Sequence, residues 1–259
     1  ECCLREVRDW MTNNYLVLND NKMEVLHLSS RFRQYREFPP ITSGNDQVPP
    51  SNSVRDLGVV LDKHLNMQVH VNKLCRNASL ALRKIGSIRP YLDKSSTEIL
   101  VHAFVSSLLD NCNSLLVGLP EKQVTKLQRI QNSAARLVSK SSRKEHTTPI
   151  LQELHWLPVK FRIRFKILIH VFNAIHGLAP SYLSDLLSIY TPARSLRSSN
   201  QQLLHVPPQK TKHYGERSFS FIGPTFWNLL PFEIRSQCNA NIFKEQLKTY
   251  LFKEAYVWL

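Results

Sequence analysis

The sequence is poor in glycine, and this scarcity limits the nucleotide sites that it can form. Seven glycines occur in 259 residues, and neither GxGxxG nor GxxxxGK[ST] is present. A loop that cradles phosphates needs glycine where the backbone must approach the ligand closely. The GxSxG and HExxH signatures of two large hydrolase classes are also missing. The sequence therefore does not predict nucleotide hydrolysis or either of these hydrolase sites.

Cysteines, paired acids and long apolar runs are also scarce. The five cysteines are scattered without CxxC spacing, which favours reduced thiols in an intracellular protein, nuclear or cytoplasmic, over a disulfide or zinc framework. Six histidines between His146 and His213 lack ligand spacing and the aspartates are isolated, so no metal site or cofactor is predicted in this chain. No apolar run approaches the roughly 20 residues that cross a bilayer, so no membrane partner is expected.

Positive charge is what the sequence has in excess. The formal net charge is +14. Between residues 120 and 166, eleven Lys and Arg stand against three Glu. Clustered cations gain affinity for polyanions by displacing the counterions that surround phosphates. Nucleic acid is therefore the leading candidate partner.

Much of this charge falls on a helix predicted from Pro120 to about Ser139. Its apolar side contains Val124, Leu127 and Val138, and basic residues recur at helical spacing on the other side without acidic partners three or four positions away. A solvated charged face and a phosphate-binding face both remain open interpretations. With two residues of the preceding helix, the candidate nucleic-acid-binding residues are Lys73, Arg76, Lys122, Lys126, Arg129, Arg136 and Lys140.

The wider pattern predicts an α+β chain that is mostly helical. Residues 1–14 are predicted to be helical, and the segments Glu24–Leu28 and Val54–Leu61 are predicted strands that could pair as antiparallel neighbours. Between these strands, prolines and Gly44 predict a loop or hairpin tip without regular structure. Later helices are predicted over residues 66–86 with Gly86 as the C-terminal cap, 95–109, 159–176, 181–189 and the C-terminal segment.

Aromatic residues are concentrated near the end of the chain and around Trp156. Phe219, Phe221, Phe226 and Trp227 crowd around Gly223-Pro224, and such a group could be a base-stacking platform. The apolar residues that follow favour core packing instead. Trp156 follows a short turn that starts at Pro149, and it is predicted to be a core anchor. Residues 191–214 are polar and basic and are predicted to be a surface connection.

Two sequence strings, each a set of residues at fixed spacing, lie between residues 128 and 166. The first, QN-AAR-L, is met by Gln131, Asn132, Ala134, Ala135, Arg136 and Leu137. The second, H-TP-L-LHWLPV-RI-FKI, is met by His146, Thr148, Pro149, Leu151, Leu154 to Val159, Arg162, Ile163, Phe165 and Lys166. Together they resemble the C-terminal region of reverse transcriptases from jockey-like non-LTR (LINE) retrotransposons.

The resemblance extends over nearly the whole chain and implies three domains. Residues 1–65 are similar to the end of the polymerase palm, 66–145 to a helical thumb, and 146–259 to a helical C-terminal domain. Residues from Trp10 to Glu24 are similar to the W-N-L-LN-KTE motif, with Met23 in place of its Thr. By this resemblance Lys22 is the palm lysine near the phosphates of the incoming nucleotide, and a plain lysine at a strand edge is the alternative.

The resemblance implies that the parent protein is an RNA-directed DNA polymerase that uses Mg²⁺. The FADD or YADD turn that holds the metal ions does not occur in this sequence, which opens on Glu1 without Met. We therefore expect a fragment that is catalytically inactive alone and that grips an RNA template or an RNA–DNA duplex. The alternative is a degenerate or repurposed remnant of such an element, acting as a helical protein-interaction module or without function.

Overall fold

The structure is a computed structural model that describes residues 2–30, 38–43, 46–192, 201–211 and 214–256. These residues are mostly helical with a few short strands in small sheets, which confirms the predicted α+β class. The chain divides into two compact units, Glu1–Lys73 and Leu74–Leu259. The predicted boundary between residues 145 and 146 lies inside the second unit, so helices on both sides of it belong to one compact unit.

The described part of the first unit combines a helix with short strands. Helix α1 spans Cys2–Asn13, and a 3₁₀ turn spans Asp20–Lys22. The strands are β1 (Val25–Leu26), β2 (Ile41–Ser43), β3 (Asp46–Val48), β4 (Pro50–Ser51), β5 (Ser53–Asp56) and β6 (Val59–Asp62). Lys22 therefore lies exposed in the 3₁₀ turn and not at a strand edge.

The strand pairing differs from the prediction. β1 pairs in parallel with β4, whereas the predicted strand Val54–Leu61 folds back on itself as the antiparallel hairpin β5–β6. Its two-residue turn contains Leu57 at φ 44° and Gly58 at φ 89°, the left-handed pair that a type I′ turn requires. The predicted antiparallel pairing with Glu24–Leu28 is therefore wrong, because this local turn supplies a nearer partner.

The proline-rich stretch between the predicted strands also contains more structure than expected. β2 and β3 form an antiparallel pair in which Ile41 lies opposite Val48 and Thr42 opposite Gln47. Residues 44 and 45, which connect the two strands, lie outside the described residues. The expectation of a segment without regular structure was wrong, since prolines at its ends leave the N–H groups between them free to pair.

Asp62 and His70 join the hairpin to the start of the long helix α2 (Gln68–Ile88). The Asp62 carboxylate accepts the backbone N–H groups of His64, Asn66 and Met67. His70 Nδ1 accepts the N–H of Val60 at 3.3 Å. Burial lowers the pKa of His70, and nearby Lys73 lowers this pKa further. The fold therefore favours a neutral imidazole at this position.

The described part of the second unit is dominated by helices. They are α3 (Lys94–Val101), α4 (Ser107–Asp110), α5 (Glu121–Ser139), α6 (Thr147–Glu153), α7 (Val159–Ile175), α8 (Ser181–Ser184), α9 (Phe219–Asn228), α10 (Phe232–Arg235) and α11 (Ala240–Tyr256). A π-helical turn, His102–Ser106, joins α3 to α4. The predicted helices at α5 and α7 are confirmed closely, because their apolar spacing persists over four or more turns.

Helices α2 and α3 have boundaries that differ from the prediction. α2 ends later than predicted, and α3 begins earlier. α2 continues through Gly86 to Ile88 and is followed by a 3₁₀ turn that contains Pro90. Pro90 has no N–H for a further helical bond, so proline and not glycine ends the helix. α3 is capped by Asp93, whose carboxylate accepts the N–H of Ser96 at 2.8 Å. The expected start at Ser95 was therefore late, because the aspartate before it provides the better cap.

The segment after α7 also contains less helix than predicted. α8 ends at Ser184, and Ile189 forms an antiparallel bridge with Leu204 instead of continuing a helix. Asn228 holds this bridge by accepting the Leu204 N–H at 2.9 Å and donating to its carbonyl at 2.8 Å. Leu204 is buried, so the predicted surface connection contains a core residue. Residues 193–200, 212 and 213 of that connection lie outside the described residues.

The core of the second unit contains the aromatic side chains that were predicted to pack there. Trp227, Phe172 and Phe243 are almost fully buried. The rings of Phe172 and Phe243 stack with centroids 4.3 Å apart, and Trp227 is tilted against Phe243 at 5.8 Å. Such ring contacts add to the free energy of burial. Leu247 and Leu251 of α11 are also fully buried, and α11 packs against α7.

Trp156 lies between α6 and α7 and is 4% exposed, which confirms the predicted buried position. Its ring centroid is 5.3 Å from that of His102. Its backbone carbonyl accepts the hydroxyl of Tyr256 at 2.5 Å, and burial raises the pKa of that hydroxyl. The turn that contains Trp156 is therefore attached to the π-helical turn and to the end of α11.

We expect Trp156→Ala to lower the free energy of unfolding by about 3–5 kcal/mol, because it removes a buried aromatic side chain and leaves a cavity. Trp156→Phe should lower it less, since the indole Nε1 has no hydrogen-bond partner among the described residues. Urea unfolding followed by circular dichroism measures both. Trp10→Ala is the control, because Trp10 is 61% exposed and should change stability by no more than about 0.5 kcal/mol. Equal stability of Trp156→Ala and wild type would contradict the assignment.

We expect the neutral state of His70 to make stability depend on pH. The lowered pKa in the fold means that the unfolded chain binds this proton first as the pH falls through about 6.5. The contribution is therefore present above that pH and is lost below it. His70→Asn keeps an acceptor for the Val60 N–H but cannot titrate. Unfolding free energies at about pH 7.5 and 5.5 should thus fall more for wild type than for His70→Asn, and equal falls would contradict the prediction.

Candidate nucleic-acid interface

Helix α5 places its buried and its basic residues on opposite sides. Leu127, Ala134, Ala135 and Val138 are buried within the second unit. At about 100° per residue, the basic positions are centred on the other side of the helix from this group. Burial of the apolar side therefore directs the basic stripe toward solvent.

The candidate cations of α5 differ in exposure. Lys122, Arg129 and Lys140 are exposed, whereas Lys126 and Arg136 are half-buried. Lys140 follows the last helical residue and takes the left-handed conformation at φ 56°. At 1.5 Å per residue the stripe from Lys122 to Lys140 is about 27 Å long. This length corresponds to about eight base-pair steps along the axis of a duplex, at about 3.4 Å per step.

Arg136 is already bonded within the protein. Its Nη2 donates to the carbonyl of Glu145 at 3.0 Å and to the hydroxyl of Thr147 at 2.9 Å. Thr147 is the first residue of α6, so Arg136 fixes the loop that leads from α5 to α6. The guanidinium therefore has a bracing role, whatever else it contacts.

Arg89 joins the end of α2 to the end of α5. It is 7% exposed, and its Nε and Nη2 donate to the carbonyls of Leu137 at 2.8 Å and Val138 at 2.9 Å. Its Nη1 donates to the carbonyl of Leu92 at 2.6 Å. Carbonyls in the last turn of a helix lack donors within that helix, and a cation suits the negative end of the helix dipole. Arg89 therefore satisfies the end of α5 and positions it beside α2.

A groove of about 710 Å³ opens where α2 and α5 end, and we call it the basic groove. It is lined by Arg83, Arg89, Arg136, Lys140, Arg143, Ser133, Ser141, Leu82 and Leu137. No acidic residue is among them. Within the described ranges, Arg83, Lys140 and Arg143 make no ion pair. Uncompensated cations around a concave surface focus positive potential and attract anions.

The basic groove contains only part of the predicted set. Arg136 and Lys140 line it, whereas Lys122, Lys126 and Arg129 continue along α5 outside its lining. Arg76 is exposed on α2, two turns before the groove. The predicted stripe and the groove therefore meet at the C-terminal end of α5.

Two predicted residues belong to the first unit. Lys73 is its last residue and is exposed on α2, and Lys22 lies in the 3₁₀ turn described above. The structure therefore places neither with the cations of α5 in one compact unit. The interface proposed below is confined to the second unit.

Arg83 and Arg143 were missed as binding candidates, although both line the basic groove. A partial signal for Arg83 was present, since it follows Arg76 by seven residues and shares its helix face. Arg143 had no such signal. It lies in the connection from α5 to α6, and only the tertiary fold brings it beside α2.

The described residues hold no cluster of three or more His, Cys, Asp or Glu side chains that could bind a metal. A two-metal polymerase site needs carboxylates that converge on both ions. The Mg²⁺ implied for the parent enzyme therefore finds no fitting ligand set in the described parts of this chain. In the same parts, every helix is too short or too polar to cross a membrane.

Comparison with known proteins gives no match to this chain among protein-family models, curated proteins or solved structures. What the site can bind follows from its own chemistry. Arginine offers paired donors that fit two phosphate oxygens at once, and lysine offers a point charge. The basic groove combines both with two serine hydroxyls, so it suits a ligand with phosphate groups.

We expect truncation of Arg89 to lower stability much more than truncation of Arg83, because Arg89 bonds to the backbone of α5 whereas Arg83 is exposed at the groove. Arg89→Ala removes three hydrogen bonds from a charged donor and leaves carbonyls of α5 unmet. It should lower the free energy of unfolding by about 3 kcal/mol or more. Arg83→Ala should change it by no more than about 0.5 kcal/mol. Urea unfolding of the two variants tests this difference, and equal effects would contradict it.

Proposed function

We propose that this chain is the nucleic-acid grip of a reverse transcriptase of the jockey-like non-LTR type, which holds an RNA template or an RNA–DNA duplex by its phosphates. The observation that carries this proposal is the basic groove, where Arg83, Lys140 and Arg143 surround a concave surface without an acidic residue. Structural cations are usually balanced by acids or carbonyls. These three have no ion-pair partner in the described residues.

The contacts would be independent of base sequence. Lysine and arginine on a helix side recognise phosphates, which repeat identically along every strand. The groove then holds one phosphate or two, and the exposed Lys122 and Arg129 meet others along the same strand. A polymerase needs such contacts because its template changes with every step.

The resembling strings have structural roles that are consistent with this proposal. Gln131 of the first string donates from its side-chain amide to the carbonyl of Leu157 in the second, at 2.8 Å. Trp156 is buried, and Arg136 braces the start of α6. Residues of both strings thus support the position of α5, on whose outer side the cations lie.

We expect binding to a labelled RNA–DNA duplex to depend steeply on salt. If about five cations meet phosphates, the plot of log K against log salt should have a slope of about −3 to −5. The triple variant Arg83→Gln, Lys140→Gln, Arg143→Gln should make this slope less negative by about 2. Fluorescence anisotropy between about 50 and 200 mM KCl measures both slopes.

The matched control replaces three exposed lysines that do not line the groove, Lys160, Lys244 and Lys253, by glutamine. It changes the net charge of the chain by the same amount, so it should reduce the slope much less than the groove variant if the groove is the site. Equal effects of the two triple variants would show a diffuse charge effect and reject the groove. A wild-type slope near zero would reject nucleic-acid binding and favour the protein-interaction alternative.

A further inference from the structure

A second cavity of the same unit, of about 480 Å³, has a lining unlike that of the basic groove. Its volume lies within the usual range for small-molecule sites. The lining combines rings, cations and buried polar groups from α3, α4, α7, α11 and the turns between helices. The residues that matter here are His102, Asn113, Trp156, Arg162, Lys166 and Lys248. We call it the tryptophan pocket.

Two buried polar atoms of this lining have no partner among the described residues. One is the side-chain oxygen of Asn113, a residue that is 3% exposed, and the other is Nε1 of Trp156. The amide orientation of Asn113 is fixed, because its Nδ2 donates to the carboxylate of Asp110 at 3.3 Å. Buried polar groups without partners cost free energy, so each needs an explanation. Both atoms are closed to solvent, so a ligand that donates and accepts hydrogen bonds would satisfy them by displacing the side chains that cover them.

The charges of the pocket favour an anion. Arg162 is bonded to Asp110, and His102 Nε2 lies 3.5 Å from the carboxylate of Glu98. Lys166 and Lys248 add two positive charges, and neither makes an ion pair within the described ranges. The carboxylates of Asp110 and Glu98 therefore each have a partner within the protein. An anionic group of a ligand would find both lysines available.

The aromatic part of the pocket favours a planar ring. The indole of Trp156 and the ring of Phe165 both line it, and the imidazole of His102 lies tilted against the indole at 5.3 Å. His102 is also the first residue of the π-helical turn. Such turns are rare and occur often at functional sites. A flat heterocycle could rest on these rings as bases do on aromatic side chains.

From these three features we propose that the tryptophan pocket binds a nucleoside monophosphate, either free or as the unpaired terminal nucleotide of a strand. The base rests on the more accessible rings of His102 and Phe165, beside Trp156, with its polar edge toward Asn113. The phosphate lies between Lys166 and Lys248. This site is separate from the basic groove and does not rest on the proposed function.

Isothermal titration of the full chain with AMP, adenosine and ribose 5-phosphate tests the proposal. AMP should bind, and each of the two partial ligands should bind at least about tenfold more weakly, because each lacks one half of the recognition. AMP should also quench tryptophan fluorescence through Trp156. No binding of AMP at millimolar concentration, or equal binding of all three compounds, would overturn the proposal.

Two lysines one turn apart on α11 give a matched pair of variants. Lys248→Gln should weaken AMP binding about tenfold, because it removes one charged contact to the phosphate. Lys244→Gln is exposed and does not line the pocket, so it should leave the affinity unchanged. Neither substitution affects a buried side chain. Equal affinities of the two variants would place AMP elsewhere and reject the pocket.

Competition identifies the source of the nucleotide. A single-stranded oligonucleotide with a terminal phosphate should displace AMP if the pocket takes a strand end, and it should fail to do so if the pocket takes the free nucleotide. The triple variant of the basic groove should bind AMP like wild type. Loss of duplex binding by this variant with AMP binding intact would therefore show that the two sites are separate. A wild-type chain that binds AMP but not the duplex would reject the proposed grip and leave the tryptophan pocket standing.

Discussion

Two amide side chains of α5 fix the point at which the chain turns into α7. Gln131 Nε2 donates to the carbonyl of Leu157 at 2.8 Å, and Gln128 Oε1 accepts the N–H of Val159 at 2.9 Å. The first N–H groups of a helix have no acceptor within it, so Gln128 caps α7 from another helix. Gln131 is 3% exposed, and an unmet amide there would cost its full desolvation. The direction in which α7 leaves therefore depends on these two bonds.

Both candidate sites follow from this pair of bonds. With Gln131 turned inward, the opposite side of α5 must face solvent, and this side carries the basic stripe. With Leu157 held against α5, the preceding Trp156 enters the core beside the π-helical turn. Arg162, in the first turn of α7, is then brought to Asp110 at the end of α4. One arrangement of two helices thus directs cations outward and lines the tryptophan pocket.

The features that could be predicted from the sequence were mainly those that depend on neighbouring residues along the chain. The apolar spacing located α5 and α7 because burial along many turns leaves a repeated signal. Single positions were harder. Gly58 allowed a hairpin where a longer-range pairing was expected, and Asp93 caps a helix that was expected to begin at Ser95. In both cases the sequence offered two partners for one structural role, a strand partner or a helix cap, and only the folded geometry distinguishes them.

The sites themselves could be predicted only in part, because they depend on contacts distant in sequence. The stripe on α5 was visible, whereas the groove also needs α2 and the connection after α5. The tryptophan pocket left less signal still. Asn113 reads as an ordinary polar residue until its burial and its unmet oxygen are known. The π-helical turn likewise depends on packing and has no sequence signature.

A count of basic residues overstates the charge that a phosphate can use. Arg89 and Arg136 both line the basic groove, but their guanidinium groups already satisfy carbonyls of the protein. Taking either from its acceptors would leave a backbone group unmet, and this loss would offset much of the gain from a phosphate. Arg83, Lys140 and Arg143 carry no such cost. The structure therefore divides the groove into cations that shape it and cations that can bind, a division that net charge alone does not reveal.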